Sequence, residues 1–246
     1  MSRDLGVTRL LREVLPGWTV EFFGAFTLLG DLLVIVPGLA VASLAGVLAR
    51  LRQLGGPGDG PLCPDRTAVL LAVVLGGLAL VVLLKGAFAA PRPPAELHAV
   101  PASEYGFPSG HTMAATVFWG GLAAWTTLGS RRARFAVAAV AVSLVGFSRL
   151  ALGVHYLVDV VASVLFGGGY LLVAAWLVGE RPARAFGLAV GIAVLATVVT
   201  AASDRALLAL AGSIGAAGGW RLIERPPVRR WVARLYSRAV RPETSR

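Results

Sequence analysis

Residues 67–84 read TAVLLAVVLGGLALVVLL, eighteen positions without an acidic or basic side chain. A helix of that length rises about 27 Å, close to the roughly 30 Å hydrocarbon core of a bilayer. The whole chain of 246 residues shares this character, because 57% of its residues are hydrophobic and 15% are charged. In soluble globular domains about a quarter of the residues are charged. The sequence therefore excludes a soluble globular protein and predicts one that spans a membrane.

The remaining apolar stretches predict an all-α polytopic bundle of six to seven transmembrane spans. Continuous apolar runs exclude an outer-membrane barrel, whose strands alternate over about 10 residues. Six spans are predicted at residues 22–48, 67–85, 109–128, 135–152, 155–178 and 185–202. Asp31 and Pro37 interrupt the first of them, which predicts a kink there. A weaker stretch of fifteen residues, 206–220, is either a buried half-span or a seventh helix.

Arginine residues distinguish the two sides of this predicted bundle. Eight of them fall in the connections on one side, at positions 50, 52, 66, 131, 132, 134, 181 and 184. The positive-inside rule assigns that side to the cytoplasm. Eight more arginines follow residue 220, so we favour a seventh crossing, which returns this tail to the cytoplasm. We interpret the net charge of +10 as a feature that orients the protein in the membrane and contacts lipid, not as a sign of nucleic-acid binding.

Both ends of the chain show the spacing of an amphipathic helix that lies on a membrane surface. The apolar positions i, i+3, i+4 and i+7 are Val7, Leu10, Leu11 and Val14 at one end, and Val228, Trp231, Val232 and Leu235 at the other. For the tail, the alternative is a disordered basic segment. The predicted organisation is an interfacial helix in residues 1–20, a transmembrane domain in 21–222 and a basic cytoplasmic tail in 223–246.

Ionisable residues at the predicted spans are functional candidates, because Asp, Lys and Arg each cost about 2.5 to 3.5 kcal/mol at a helix centre. Six occur: Asp31, Lys85, His111, Arg149, His155 and Asp159. The last five fall at the outer ends of their spans, and Arg92 in the connection after Lys85 joins them. Cations around imidazoles favour an anionic substrate, most simply a phosphate. Asp31 we interpret as a helix-pairing or water-contacting carboxylate.

Three motifs in this region resemble the complete signature of the type 2 phosphatidic acid phosphatase superfamily, the integral lipid phosphate phosphatases. The first is Lys85-x6-Arg92-Pro93, the second is Pro108-Ser109-Gly110-His111, and the third is Ser148-Arg149-x5-His155-x3-Asp159. Every signature position is filled, and in order. The motifs cover residues 85–159, while the thirds of the chain on either side carry none.

The resemblance implies a catalytic role for three residues. His155 would attack phosphorus and form a phosphohistidine. Asp159, one helical turn later on the same face, would hold the imidazole tautomer and stabilise its positive charge. His111 would protonate the leaving oxygen and then activate water.

The resemblance also implies how the phosphate is bound. Lys85, Arg92 and Arg149 would neutralise the phosphoryl oxygens. Ser109 and Gly110 would offer main-chain N–H groups near a helix N-terminus. No metal and no other cofactor is expected, and no acidic cluster suited to magnesium is present in the sequence.

The expected protein is a multi-pass phosphatase of the cell membrane, with its active site on the extracytoplasmic side. Its partners are membrane lipids and a lipid phosphate substrate: a polyprenyl diphosphate, phosphatidic acid or phosphatidylglycerol phosphate. One alternative is a lipid phosphotransferase that uses the same site with an alcohol acceptor. Another is an anion or lipid transporter, which the lack of duplicated halves disfavours. The sequence leaves the oligomeric state open.

Overall fold

The computed structural model describes residues 5–54 and 60–240, and regular structure in these ranges is helical with no strand. This confirms the predicted all-α class. Ten α-helices follow in chain order: α1 (Gly6–Val14), α2 (Thr19–Thr27), α3 (Leu32–Leu54), α4 (Asp65–Phe88), α5 (Gly110–Trp125), α6 (Arg131–Ala151), α7 (Leu157–Val178), α8 (Pro182–Val199), α9 (Asp204–Ile223) and α10 (Pro226–Val240).

Six of these helices, α3, α4 and α6–α9, are long and apolar enough to cross a membrane. The shorter α5, with 16 residues, runs antiparallel to α4 over most of its length. Gly110 lies beside Lys85 at one end of this helix pair, and Gly121 lies beside Leu70 at the other. Because α5 connects the two ends of the bundle, it completes a set of seven traversing helices in the described ranges.

The first span predicted over residues 22–48 is not one helix, because the interruption predicted at Asp31 is a complete break and not a kink. Helix α2 and a 3₁₀ turn, Leu28–Gly30, precede a break at Asp31, and the long helix α3 begins only at Leu32. Asp31 has extended backbone angles, and its carboxylate accepts the N–H of Leu33 at 2.9 Å. A side-chain acceptor of this kind caps a new helix and separates it from the previous one.

The seventh span, predicted from the apolar stretch 206–220, corresponds to α9 and is longer than that stretch. Helix α9 has 20 residues, because Asp204 lies in its first turn and Arg221 in its last. Both charges are favourable there: an acidic group suits the N-terminal end of the helix dipole and a basic group the C-terminal end. Counting apolar residues alone left out these turns.

Helix α4 lies at the centre of the bundle. It is the most buried of the six long helices, because 56% of its most apolar eighteen-residue segment lies inside the bundle. Its valines pack with Val117 and Phe118 of α5, and Tyr170 of α7 donates a hydrogen bond to the carbonyl of Val73 at 2.7 Å. The central position of α4 brings Lys85, in its last turn, among the ends of several helices.

Helices form at both predicted amphipathic segments, α1 and α10. In α1 the hydroxyl of Thr8 is buried and donates to the carbonyl oxygen of His155 at 2.9 Å. Val7, Leu10 and Val14 are exposed on the outside of the bundle. The location of these helices on a membrane surface stays a prediction.

Candidate active site

The residues of the three motifs lie together at one end of the bundle. They come from the last turn of α4, the connection after it, the first turn of α5, the last turn of α6, the connection into α7 and the first turn of α7. Lys85 lies within electrostatic range of Arg92, Arg149 and Asp159. Antiparallel helices thus bring groups that are distant in sequence to a common face.

His155 is held on both sides of its ring. Its Nδ1 lies 3.3 Å from Oδ2 of Asp159, and its Nε2 lies 3.1 Å from Nη1 of Arg92. A guanidinium can only donate, so Nε2 accepts and carries the lone pair. The proton of the neutral ring is then on Nδ1 and points to Asp159. In this tautomer Nε2 is the ring nitrogen that can accept a hydrogen bond or attack an electrophile.

The chain reaches this arrangement through a tight connection between α6 and α7. Gly153 has a φ of +76°, and a Cβ there would lie 1.9 Å from the carbonyl oxygen of Leu97, so no side chain fits. Oδ2 of Asp159 also accepts the main-chain N–H of Tyr156 at 3.0 Å, which caps α7. One carboxylate therefore both starts the helix and contacts the imidazole.

His155 belongs to the connection between α6 and α7, and its side chain is 1% exposed. Burial lowers its pKa well below the ordinary value, and the nearby positive charges of Arg92, Arg149 and Lys85 lower it further. Both effects favour the neutral form of the imidazole.

Arg92 is anchored by main-chain and side-chain oxygens. Its Nη1 donates to the carbonyl of Val154 at 2.7 Å, and its Nη2 donates to Oγ of Ser103 at 2.8 Å. Its Nε donates to the carbonyl of Ser103. These contacts fix the guanidinium beside Nε2 of His155. Sequence analysis had no signal for Ser103, which belongs to no motif.

Lys85 and Arg149 supply the other two cations. Nζ of Lys85 donates to the carbonyl of Tyr105 at 2.8 Å. Nη1 of Arg149 donates to Oγ1 of Thr27 at 3.3 Å, and that hydroxyl also lies 3.0 Å from Oγ of Ser148. Nε of Arg149 is buried and has no hydrogen-bond partner within the described ranges. A buried donor of this kind suits an anionic oxygen.

His111 pairs with the acidic residue that sequence analysis kept apart from the site. Its Nε2 lies 3.2 Å from Oδ2 of Asp31, and each side chain is 33% exposed. The interpretation of Asp31 as a helix-pairing or water-contacting residue gave it no link to His111. The ionisable character of Asp31 was visible in the sequence, but its imidazole partner was not.

The structure places Ser109 and Gly110 where the connection enters α5. The main-chain N–H of Ser109 donates to the carbonyl of Asp159 at 3.3 Å, and its hydroxyl lies 2.9 Å from that of Thr112. Ser109 thus has partners inside the bundle. Gly110 lies next to Lys85, where a Cβ would be 3.1 Å from Cε of the lysine. Phosphate binding by this pair stays a prediction.

The site also includes N-terminal residues that no motif indicated. Thr8 contacts the main chain of His155, and Thr27 contacts the side chain of Arg149. Within the described ranges, no three His, Cys, Asp or Glu residues are grouped as metal ligands are.

Comparisons with known proteins agree with the motifs. Residues 66–183 match the family model described as PAP2 superfamily. Among solved structures, the fold is similar to the first transmembrane PAP2 type phosphatidylglycerolphosphate phosphatase from Bacillus subtilis, with a TM-score of 0.56 and 24% sequence identity over 70% of this chain and 82% of that chain. No curated protein matches the chain by sequence. At this identity, the structural likeness shows the fold alone.

Proposed function

We propose that this protein is a membrane-embedded phosphatase that hydrolyses a lipid phosphate or diphosphate through a phosphohistidine, because residues 66–183 match the PAP2 superfamily. The observation that carries the proposal is the state of His155. Its Nε2 lies beside a cation and carries the lone pair, and its Nδ1 faces a carboxylate. A structural histidine needs no such arrangement, whereas a nucleophile for phosphorus does.

The reaction proceeds in two displacements. In the first, Nε2 of His155 bonds to phosphorus, the bond from phosphorus to the lipid oxygen breaks, and His111 gives a proton to that oxygen. Asp159 stabilises the positive charge that develops on the His155 ring. In the second, His111 takes a proton from water, the water oxygen bonds to phosphorus, and the bond to nitrogen breaks. Phosphate leaves, and both histidines return to their initial states.

Positive charge around the nucleophile stabilises both transition states. We assign this role to Lys85, Arg92 and Arg149, because negative charge on a transferred phosphoryl group spreads over its three equatorial oxygens. The buried Nε of Arg149 supports the assignment, since it lacks a partner in the described chain. Gly110 at the start of α5 would add its main-chain N–H to the same phosphate. The N–H of Ser109 instead donates to the carbonyl of Asp159, so the structure does not favour the N–H contact expected of Ser109.

An apolar groove beside this cluster supports a lipid as the substrate. It has a volume of about 310 Å³ and is lined by Leu80, Leu84, Phe166, Tyr170, Val173, Leu188 and Ile192. One end of the groove lies near the cluster: Leu84 directly precedes Lys85, and the ring of Phe166 lies 6.0 Å from that of Phe107, which belongs to the connection before α5. A hydrocarbon chain in the groove would place its phosphate next to the cations. The candidate substrates all combine a long hydrocarbon chain with a phosphate: polyprenyl diphosphate, phosphatidic acid and phosphatidylglycerol phosphate.

We expect the purified protein to release inorganic phosphate from long-chain lipid phosphates in the presence of EDTA. Long-chain substrates should have a lower KM than short-chain analogues with the same head group, because only they fill the groove. The measurement is phosphate release over a panel of both kinds, with His155→Ala as the inactive control. A requirement for added divalent metal would overturn the mechanism. Transfer to an alcohol without phosphate release would favour the phosphotransferase alternative.

We further propose that this end of the bundle faces the extracytoplasmic side of the cell membrane. The arginines at positions 50, 52, 66, 131, 132, 134, 181 and 184 belong to the opposite end, as does the start of the basic tail. Basic residues are retained on the cytoplasmic side. The substrate head group is then met in the outer leaflet.

Cysteine labelling tests this orientation in a Cys63→Ser background. We expect Ala95→Cys, in the connection after α4, to react with a membrane-impermeant thiol reagent on intact cells. Leu128→Cys is the matched control at the opposite end, where the side chain is 81% exposed, and should react only after permeabilisation. The reverse pattern would place the site on the cytoplasmic side.

A further inference from the structure

The geometry points to Asp31 as the positioning residue of His111, so that the site contains a second histidine–carboxylate pair. This inference rests on the proposed function, because it concerns the residue that exchanges the proton. Asp31 lies outside the region that matches the family, 66–183, and outside the three motifs.

The contact is direct and chemically specific. Oδ2 of Asp31 lies 3.2 Å from Nε2 of His111. A carboxylate can only accept, so Nε2 carries a proton and donates it to Asp31. The other nitrogen of the ring, Nδ1, is then the one that exchanges a proton with the substrate. Asp31 thereby selects which nitrogen does the chemistry.

Asp31 is held in place by the segment to which it belongs. Its second oxygen, Oδ1, accepts the N–H of Leu33 at 2.9 Å. The indole of Trp119 in α5 donates to the carbonyl of Leu29 at 2.9 Å. The backbone at Gly30 approaches α5 so closely that a Cβ would lie 2.3 Å from the carbonyl oxygen of His111. The carboxylate therefore has a fixed position against the N-terminal turn of α5.

Charge explains why His111 needs this partner. Arg149 and Lys85 both act on His111 electrostatically, and they make an imidazolium at this place unfavourable. The proposed first displacement nevertheless requires a protonated His111. The negative charge of Asp31, in contact with the ring, acts in the opposite direction and favours the imidazolium. Asp159 has the same relation to His155, so each imidazole has one carboxylate.

The test compares two leaving groups in single turnovers, which report the first displacement alone. The first substrate is a long-chain alkyl phosphate, whose leaving oxygen needs a proton. The second is nitrophenyl phosphate, whose nitrophenolate leaves without one. We expect Asp31→Asn to slow release of the alkyl alcohol by about 10²-fold and release of nitrophenol by less than about 3-fold, because general acid catalysis contributes about 10² to 10⁴. Asparagine also caps helices well, so α3 should be retained.

Two further variants make the test decisive. Adding Asp31→Asn to His111→Ala should change alkyl release by less than about 2-fold, since the two residues act through one proton. Asp204→Asn, in the first turn of α9 at the same end of the bundle, is the control and should behave as wild type. Retained nitrophenol release shows that each variant is folded.

The outcomes separate this inference from the proposed function. Equal losses with both leaving groups, or no loss with either, would overturn the role of Asp31 while wild-type activity upheld the phosphatase. Additive effects of Asp31→Asn and His111→Ala would overturn it as well. A wild-type protein that releases neither alcohol would overturn the proposed function, and the role of Asp31 with it.

Discussion

We expect His155→Ala to remove phosphatase activity, with a fall in kcat on the order of 10⁶-fold. The change deletes Nε2, the nitrogen proposed to bond to phosphorus, and leaves the cations that bind the phosphate. Lipid binding should therefore persist while turnover stops. The main-chain carbonyl that accepts from Thr8 also remains, so the connection between α6 and α7 keeps this contact.

The decisive measurement is trapping of the phosphoenzyme. Wild-type protein quenched in alkali after brief exposure to a ³²P-labelled lipid phosphate should carry a label that acid removes, as expected of a phosphohistidine. His155→Ala should carry none. The matched control is His98→Ala, whose ring contacts the carbonyl of Pro93 in the connection after α4 and should keep both label and turnover. Label on the His155→Ala protein would exclude His155 as the nucleophile.

We expect Asp159→Asn to lower kcat by about 10⁴-fold, as loss of the carboxylate does in hydrolytic triads. The amide can still accept the N–H of Tyr156, so the cap of α7 is kept. In the other orientation its NH₂ faces the imidazole in place of Oδ2, which gives up that cap, moves the ring proton to Nε2 and removes the lone pair from that nitrogen. It carries no negative charge to stabilise the imidazolium.

Single-turnover rates with the Asp159→Asn protein check this prediction, because the phosphohistidine should form slowly and phosphate binding should change little. The matched control is Asp65→Asn, another acidic residue in the first turn of a long helix, at the opposite end of the bundle. A near-normal rate for Asp159→Asn would restrict Asp159 to a structural role as helix cap.

The helices and the motif residues could be predicted from local patterns. Apolar length marks a span because the bilayer core has a fixed thickness, and spacing along one helix places Asp159 on the face of His155. The alternation of antiparallel helices then follows from topology. This reasoning places Lys85, His111 and His155 at one end without any knowledge of side-chain packing, and the structure has them there.

The contacts that orient these residues could not be predicted, because they join segments far apart in sequence. Thr27 meets Arg149 across 122 positions, and Asp31 meets His111 across 80. A threonine or an aspartate near a helix end usually has a local role as cap, so its sequence context carries no sign of a distant partner. The interruption at Asp31 was predicted only as a kink within one span, since apolar residues continue on both sides.

The ionisable residues of the proposed active site lie at helix ends, and this has a consequence for biogenesis. Lys85 is in the last turn of α4, His111 in the first turn of α5 and Arg149 in the last turn of α6. The middle of each of these helices remains apolar. Polar residues in the middle of a helix oppose its insertion into the bilayer most strongly. Chemistry and membrane integration thus depend on different residues, and inactive variants of the site should still be inserted and accumulate at wild-type levels.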